Sequence, residues 1–398
     1  MQQEITLAPP SGWADAAEPP ALADLTTFRV GGAAARYVET TTEAELVDAV
    51  RTADEAAEPL LVMGGGSNLL VSDAGFDGVV VRDVRTGLEV PDHSACAGVT
   101  VVVPAGTPWD LVVEHAVERN LVGLEALSGI PGSTGATPVQ NVGAYGQEVS
   151  QSIATVRVWD RERARVRTLP FVELEFGYRT SLLKRSLRAP RTDVQGGVWG
   201  PTPRYVVLDV TFQLRPGTLA RPVAYAELAR ELGVEVGGRV PMTDVRAAVL
   251  ALRARKGMVL DAADHDTWSA GSFFTNPVLD ARQAAVLPDD APRYPVDPAG
   301  ARSVGAGAVP VGAVSGGKTS DAAVKTSAAW LIEHAGFGRG FGLPGPAALS
   351  TKHTLALTNR GGASAADLLA LARQVRDGVR ERFGVELEPE PVLVGAAL

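Results

Sequence analysis

Ile130-Pro131-Gly132-Ser133-Thr134-Gly135-Ala136-Thr137-Pro138-Val139-Gln140-Asn141-Val142-Gly143-Ala144-Tyr145-Gly146 is the stretch on which the reading of this chain turns. It holds four glycines and two prolines, carries no charge, and follows neither a helical nor a strand period. Such a run builds no core of its own, and a plain surface loop of this length normally carries more charge. Irregular backbone that must stay ordered wraps something, and a large flat cofactor is the natural candidate. Upstream, the buried-strand run Pro59-Leu60-Leu61-Val62-Met63 stops abruptly at Gly64-Gly65-Gly66-Ser67-Asn68. Three glycines permit positive φ and close approach to a ligand, and consecutive N–H groups can form an anion-binding nest. Taken alone, that loop reads equally well as a tight turn.

Around these loops the pattern is mixed. Ala35 to Glu39 reads as a strand, and Thr42 with Glu45 is a capping box opening a helix over Glu43 to Glu55. Strands are expected at Gly78 to Arg82 and Val99 to Val103. Thr107 as N-cap with Pro108 opens a helix to about Asn120. Val156 to Trp159 and Val166 to Leu169 flank a charged turn as a hairpin. The alternating run Tyr205 to Leu214 ends at Arg215-Pro216-Gly217, which marks a domain boundary. Helices are expected at Ala226 to Leu232, Thr243 to Lys256 and Val324 to Ala335; Ser364 with Asp367 caps a last helix reaching Arg382, and a closing strand is expected over Val385 to Gly395. Residues 285–322 are rich in Pro, Gly and Ala and read as a long surface excursion. Strands and helices do not alternate strictly, so the fold class is α+β.

The 398 residues carry 21% charged and 45% hydrophobic side chains, which suits a soluble protein of two or three domains. A net charge of −9 argues against a general nucleic-acid surface. The single cysteine, Cys96, excludes a disulfide framework and a thiolate metal site, and suits a reducing compartment. No metal-ligand spacing joins the five histidines. Residues 1–20 have no basic start and no apolar run, and read as a flexible tail. No stretch approaches 18 apolar residues, so no membrane span is expected. Gly312 to Thr319 matches a phosphate-binding loop pattern ending in Lys318-Thr319, but Gly305 to Pro310 before it cannot form the central strand that pattern needs, so it reads as a chance match.

Two further runs stand out. Gly271-Ser272-Phe273-Phe274-Thr275-Asn276-Pro277 pairs a small hydroxyl with two aromatics, and a hydroxyl in an apolar pocket beside charges can donate a proton. Tyr178-Arg179-Thr180-Ser181 offers an Arg that is either a surface residue or a carboxylate clamp.

In this order, and closing on Glu386-Leu387-Glu388-Pro389-Glu390, the motifs resemble the UDP-N-acetylmuramate dehydrogenase family, also called UDP-N-acetylenolpyruvoylglucosamine reductases. The resemblance runs from Leu25 to Glu390. It implies a flexible tail (1–20), an FAD-binding region of two α+β subdomains of the PCMH type (21–216, split near 85) and a C-terminal α+β substrate-binding domain (217–398). It implies FAD as cofactor, held by Gly64, Gly65, Gly66, Ser67, Asn68, Pro131, Gly132, Gly135, Ala136, Gln140, Asn141, Gly143, Ala144, Tyr145 and Gly146. It implies NADPH as reductant and UDP-N-acetylenolpyruvoylglucosamine as substrate, in peptidoglycan precursor synthesis by a cytoplasmic monomer. Arg179, Ser272 and Glu390 match the family's catalytic residues. Tyr178, Tyr225, Lys256, Asn276 and His353 lie where the family binds substrate, Tyr225 on the loop of its loop-bearing subtype.

The reaction so implied takes hydride from flavin N5 to the enol ether and a proton from Ser272, with Lys256 a candidate to stabilise the alkoxide. Arg179 and Glu390, the latter protonated or linked through a water, would stabilise the enolate-like charge. The chain departs from the family where Pro391-Val392 follows Glu390 in place of Val-Arg, and where residues 299–322 have no counterpart.

Overall fold

The computed structural model describes residues 4–5, 19–94, 98–192, 197–295 and 323–398. Lys318 and the phosphate-loop-like run, Cys96, and most of the expected tail and insertion lie outside the described residues.

Leu60–Met63 does form a strand, and it pairs in parallel with Phe76–Asp83, which pairs in turn with Ala34–Thr40. The helix Glu43–Glu55 crosses between the outer two, opened by the Thr42–Glu45 capping box. Side chains alternate across this small sheet. Leu60, Val79 and Val81 bury against Leu46, Val50 and Ala53 of the helix; Leu61, Met63 and Val80 face Leu22, Leu25 and Val394 on the other side.

The second unit is an antiparallel sheet in the order Glu4–Ile5, Leu88–Ser94, Gly98–Pro104, Tyr205–Pro216, Ile153–Asp160, Arg165–Pro170. Its spine is Tyr205–Pro216. Val206 and Leu208 of that strand bury against the Glu43–Glu55 side, whereas Tyr205, Val207, Val210, Phe212 and Leu214 bury against Trp109 and its helix. The strand is therefore covered on both faces over its first half. Glu4–Ile5, expected in a flexible tail, pairs with Leu88 and Glu89 at the sheet's edge.

The third core gathers Phe273, Phe274, Leu331, Ile332 and the apolar face of Ala365–Phe383, together with Phe28, Val30 and Leu70 from the first unit. The last strand, Val392–Val394, pairs in parallel with Leu69–Val71, so the C-terminus is stitched to the chain just after the Gly64–Asn68 loop. The helices Ala226–Leu232 and Met242–Arg255 lie beyond residue 217 but share their core with Val117 and Ala126 of the preceding unit.

Several local expectations need correction. Thr107 does not cap a helix: its hydroxyl donates to Gly87 O at 3.0 Å, and Trp109–Glu118 begins after Pro108 with no side-chain cap. The run from Val324 divides into a strand, Val324–Lys325, and a helix, Ala328–His334, because Ser327 between them takes the N-cap. The excursion starting at 285 is not wholly superficial, since Leu287 and Ala291 are buried in the C-terminal core and Tyr294–Pro295 pairs with Val324–Lys325. Of Val385 to Gly395 only Val392–Val394 is strand. The class is α+β.

Candidate active site

Gly64, Gly65 and Gly66 are glycines for a reason that a single loop does not disclose. Only Gly66 has a left-handed φ, 59°. A Cβ on Gly64 would lie 1.8 Å from Ser133 Oγ, and one on Gly65 would lie 2.8 Å from Gly132 Cα. The loop is seated directly on Gly132-Ser133, and Ser67 Oγ donates to Pro131 O at 3.0 Å. The two sequence-distant loops thus form one surface. Among the described residues, the N–H groups of Gly65, Gly66 and Ser67 have no acceptor, which leaves three consecutive donors for an anion.

That surface floors a cleft of about 1860 Å³, its open mouth included. Its walls include Thr27, Gly64 to Asn68, Pro131, Ser133, Gly135, Ala136, Thr137, Gln140, Gly143, Arg179, Tyr205, Arg253, Met258, Ser272 and Glu390. Three buried polar atoms on these walls, Thr27 Oγ1, Arg179 Nε and Arg253 Nε, have no hydrogen-bond partner. Arg253 is the most buried cation of the cleft, and loss of hydration pushes its pKa down to about 10. Sequence reasoning missed Arg253, Thr27 and Tyr205; nothing in their spacing separates them from ordinary helix and strand residues.

Glu390 enters from the far end of the chain. Its N–H donates to Phe273 O at 2.8 Å, and Thr275 N–H donates to Glu388 O at 3.1 Å, so the segment 388–390 runs beside Ser272. Phe273 and Phe274 are fully buried and pack edge to face at 5.0 Å, which anchors the preceding Ser272 at the cleft wall. Burial of each ring contributes about 1.5–3 kcal/mol. Glu390 Oε1 lies 3.3 Å from Arg179 Nε and accepts from Gln140 Nε2 at 3.1 Å. Arg179 Nη2 donates to Gly143 O at 3.0 Å. Arg179 itself is held at φ 52°, a strained conformation for a residue with a Cβ.

Asn141 supplies part of that constraint. It is buried, its Nδ2 donates to Glu148 Oε2 (2.8 Å) and Gly177 O (3.1 Å), and its Oδ1 accepts from Ser150 N–H (3.2 Å). Its amide fastens the loop to the turn before Tyr178-Arg179 and does not line the cleft. Gly132 and Ala144 do not line it either, and Tyr145 and Gly146 face a separate cavity beside Pro222 to Ala224.

The expected substrate residues form two groups. Tyr178 is held beside Asn276, burial pushing its hydroxyl above the ordinary tyrosine range, and Lys325 stands over its ring at 4.4 Å. Lys325 is a cation that the motifs did not flag. In the second group Tyr225, half exposed, meets Tyr145 edge to face at 5.8 Å, and Lys256 Nζ pairs with Glu227 at 2.5 Å. Burial, with Lys256 and Arg339 nearby, pushes His353 down to about 4. Lys256 is not on the wall that carries Ser272.

Residues 34–169 match the FAD binding domain family, and residues 263–394 match the C-terminal domain of UDP-N-acetylenolpyruvoylglucosamine reductase. The chain is 51% identical to the UDP-N-acetylenolpyruvoylglucosamine reductase of Cutibacterium acnes, over 95% of this chain and 90% of that protein. It is 53% identical to that of Saccharopolyspora erythraea, over 95% of each. The chain belongs to the UDP-N-acetylenolpyruvoylglucosamine reductase family. The solved structure of the Thermus caldophilus reductase, 25% identical, superposes with a TM-score of 0.57 over 95% of this chain and 98% of that one.

For a reductase of this family the cleft must accept FAD, and the walls fit. The unpaired amides at Gly65 to Ser67 suit a pyrophosphate. The apolar stretches of Leu61 to Met63 and Ile130-Pro131 suit flat rings, and the unpartnered Thr27 and Arg253 atoms supply donors. Among the described residues no helix is long and apolar enough to cross a membrane, and no cluster of His, Cys, Asp and Glu could hold a metal ion.

Proposed function

We propose that Arg179, Ser272 and Glu390 are the reacting residues of an enzyme that reduces UDP-N-acetylenolpyruvoylglucosamine to UDP-N-acetylmuramate with NADPH, in peptidoglycan precursor synthesis. The observation that carries the assignment is that all three line the cleft floored by the Gly64–Asn68 loop, with Arg179 ion-paired to Glu390 and the Glu390 N–H bonded to Phe273 O, next to Ser272. FAD supplies the hydride when bound. Negative charge then builds on the substrate's carboxylate end. Arg179, already fixed by Gly143 O, its ion pair with Glu390 and its strained backbone, meets that charge without reorganising. Glu390 holds the guanidinium in place from the other side. The Ser272 hydroxyl gives its proton to the carbon next to the one reduced.

Tyr178, Asn276, Lys256 and His353 bind the sugar nucleotide in this reading. Tyr225 is the loop residue that closes over it, as in the loop-bearing subtype. Its exposure of 48% and its edge contact with Tyr145 favour a lid over a buried helix anchor. NADPH and the sugar nucleotide use one cleft in turn, so the kinetics are ping-pong. The net charge of −9 and the single cysteine favour a cytoplasmic enzyme with no nucleic-acid partner, and we take it to act as a monomer. The test is purification of a yellow protein that oxidises NADPH only when the enolpyruvyl sugar nucleotide is present. NADPH oxidation indifferent to that substrate would refute the proposal.

A further inference from the structure

Behind Glu390 stands a cation that no motif singled out. Lys184 lies on the short helix Leu182–Arg185, capped by Ser181, whose hydroxyl donates to Val139 O at 2.5 Å. That bond ties the helix to the residue before Gln140. The Lys184 ammonium lies 3.4 Å from Gln140 Oε1. Burial holds its pKa below the ordinary lysine range; Glu390 and Glu388 oppose that, and Arg179 and Arg188 add to it.

The orientation of the Gln140 amide follows from its neighbours. The main-chain oxygen of Glu390 can only accept, so the Asn68 atom facing it at 3.4 Å is Nδ2. The same Nδ2 lies 3.1 Å from Gln140, whose facing atom must therefore be the oxygen. Lys184, which can only donate, reaches that same oxygen. Gln140 Nε2 is left to face Glu390 Oε1 at 3.1 Å. Gln140 Nε2 and Arg179 Nε both address Oε1, and among the described residues no group donates to Oε2.

We propose that Lys184 is a positioning residue: by donating to Gln140 Oε1 it locks the amide with its N–H toward Glu390, and so holds that carboxylate in the single orientation that keeps Oε2 open to substrate. The inference rests on the role proposed above for Glu390. With Lys184 gone, the Gln140 oxygen keeps only Asn68 as donor, and a flipped Gln140 would set that oxygen against the carboxylate and drive Glu390 to another rotamer.

The test uses holoenzyme carrying Lys184→Met, Lys184→Arg, Gln140→Met, and Lys184→Met with Gln140→Met. Bound FAD is measured from flavin absorbance, and the two half-reactions are followed separately by stopped flow. Lys184→Met should keep FAD and its reduction by NADPH. It should slow reoxidation by the sugar nucleotide roughly 10–100-fold, the scale of a misplaced catalytic group. Gln140→Met should lose a similar factor, the double variant no more than Gln140→Met alone, and Lys184→Arg should recover most of the rate. Additive losses, or a Lys184→Met variant at the wild-type rate, overturn the proposal. If Lys184→Met fails to fold, Lys184→Gln in the same cycle decides it by the same criteria. Should the wild-type protein not turn over this substrate, the functional reading fails. Crystals of Lys184→Met would still test the positioning, with an unchanged Glu390 rotamer overturning it.

Discussion

Gly65→Ala isolates the seam between the two glycine-bearing loops. Gly65 does not have a left-handed φ, so alanine brings no backbone penalty there. The whole effect is steric: the new methyl lies 2.8 Å from Gly132 Cα and 3.1 Å from Gly132 C, both main-chain atoms that no rotamer change can move. Carbon atoms rest about 3.5–4.0 Å apart, so the loops must separate by about 1 Å. Overpacking of this kind costs about 1–3 kcal/mol. If the strain is relieved by spreading the seam, it appears as lost FAD affinity, an increase in Kd of about 5- to 150-fold. The assay is titration of apoprotein with FAD by flavin fluorescence, with melting temperature recorded in parallel. Gly362→Ala is the control, since nothing lies within 4 Å of a Cβ there and its φ is not left-handed. Gly65→Ala binding FAD as tightly as wild type would refute the argument that the seam shapes the cofactor surface.

Other variants probe other links. Ser272→Ala should keep FAD and its reduction by NADPH but lose about 10²–10⁴-fold in steady-state turnover, the scale of a missing general acid; near-wild-type turnover removes Ser272 from that role. Tyr225→Phe should raise KM for the sugar nucleotide, leaving KM for NADPH and the melting temperature unchanged, whereas a residue that merely anchors its helix would change stability and both KM values together. His353, pushed down to about 4 by burial, stays neutral in the folded protein where an unfolded chain takes up a proton. Stability from this site is therefore complete above about pH 6.5 and declines as pH falls toward 4, and His353→Gln should flatten the fall in melting temperature across that window. Lys318→Ala should leave turnover nearly unchanged, because the Gly- and Pro-rich sequence before Gly312 does not read as the strand that a phosphate loop follows; ATP hydrolysis that this change abolishes would reverse that reading.

Local chemistry was legible at several places where it acts over a few residues, although Thr107 does not cap the helix its position suggests. The capping boxes at Thr42 and Ser364 form as their spacing dictates, because cap and N3 residue meet within one helical turn. Apolar alternation located the strand Tyr205–Pro216, and the uncharged glycine-rich run marked ordered, irregular backbone. Val324 to Ala335 failed as one helix because Ser327 is an equally local cap competing inside an apolar run. What no local pattern could supply is which distant segments meet. Gly64 and Gly65 are required by Ser133 and Gly132, some 70 residues away, a dependence that becomes visible only when the loops are packed. Asn141 resembles a ligand contact in sequence, yet its amide is spent on Glu148, Gly177 and Ser150. Glu390 reaches Arg179 because Val392–Val394 pairs with Leu69–Val71, and Lys184 joins them only through the shared amide of Gln140. The motifs carried a resemblance to the family, and that resemblance implied the cofactor and the reacting groups to expect. Tertiary structure alone decided which of those groups share a wall, since hydrogen bonds and ion pairs act over about 3–4 Å however far apart the partners stand along the chain.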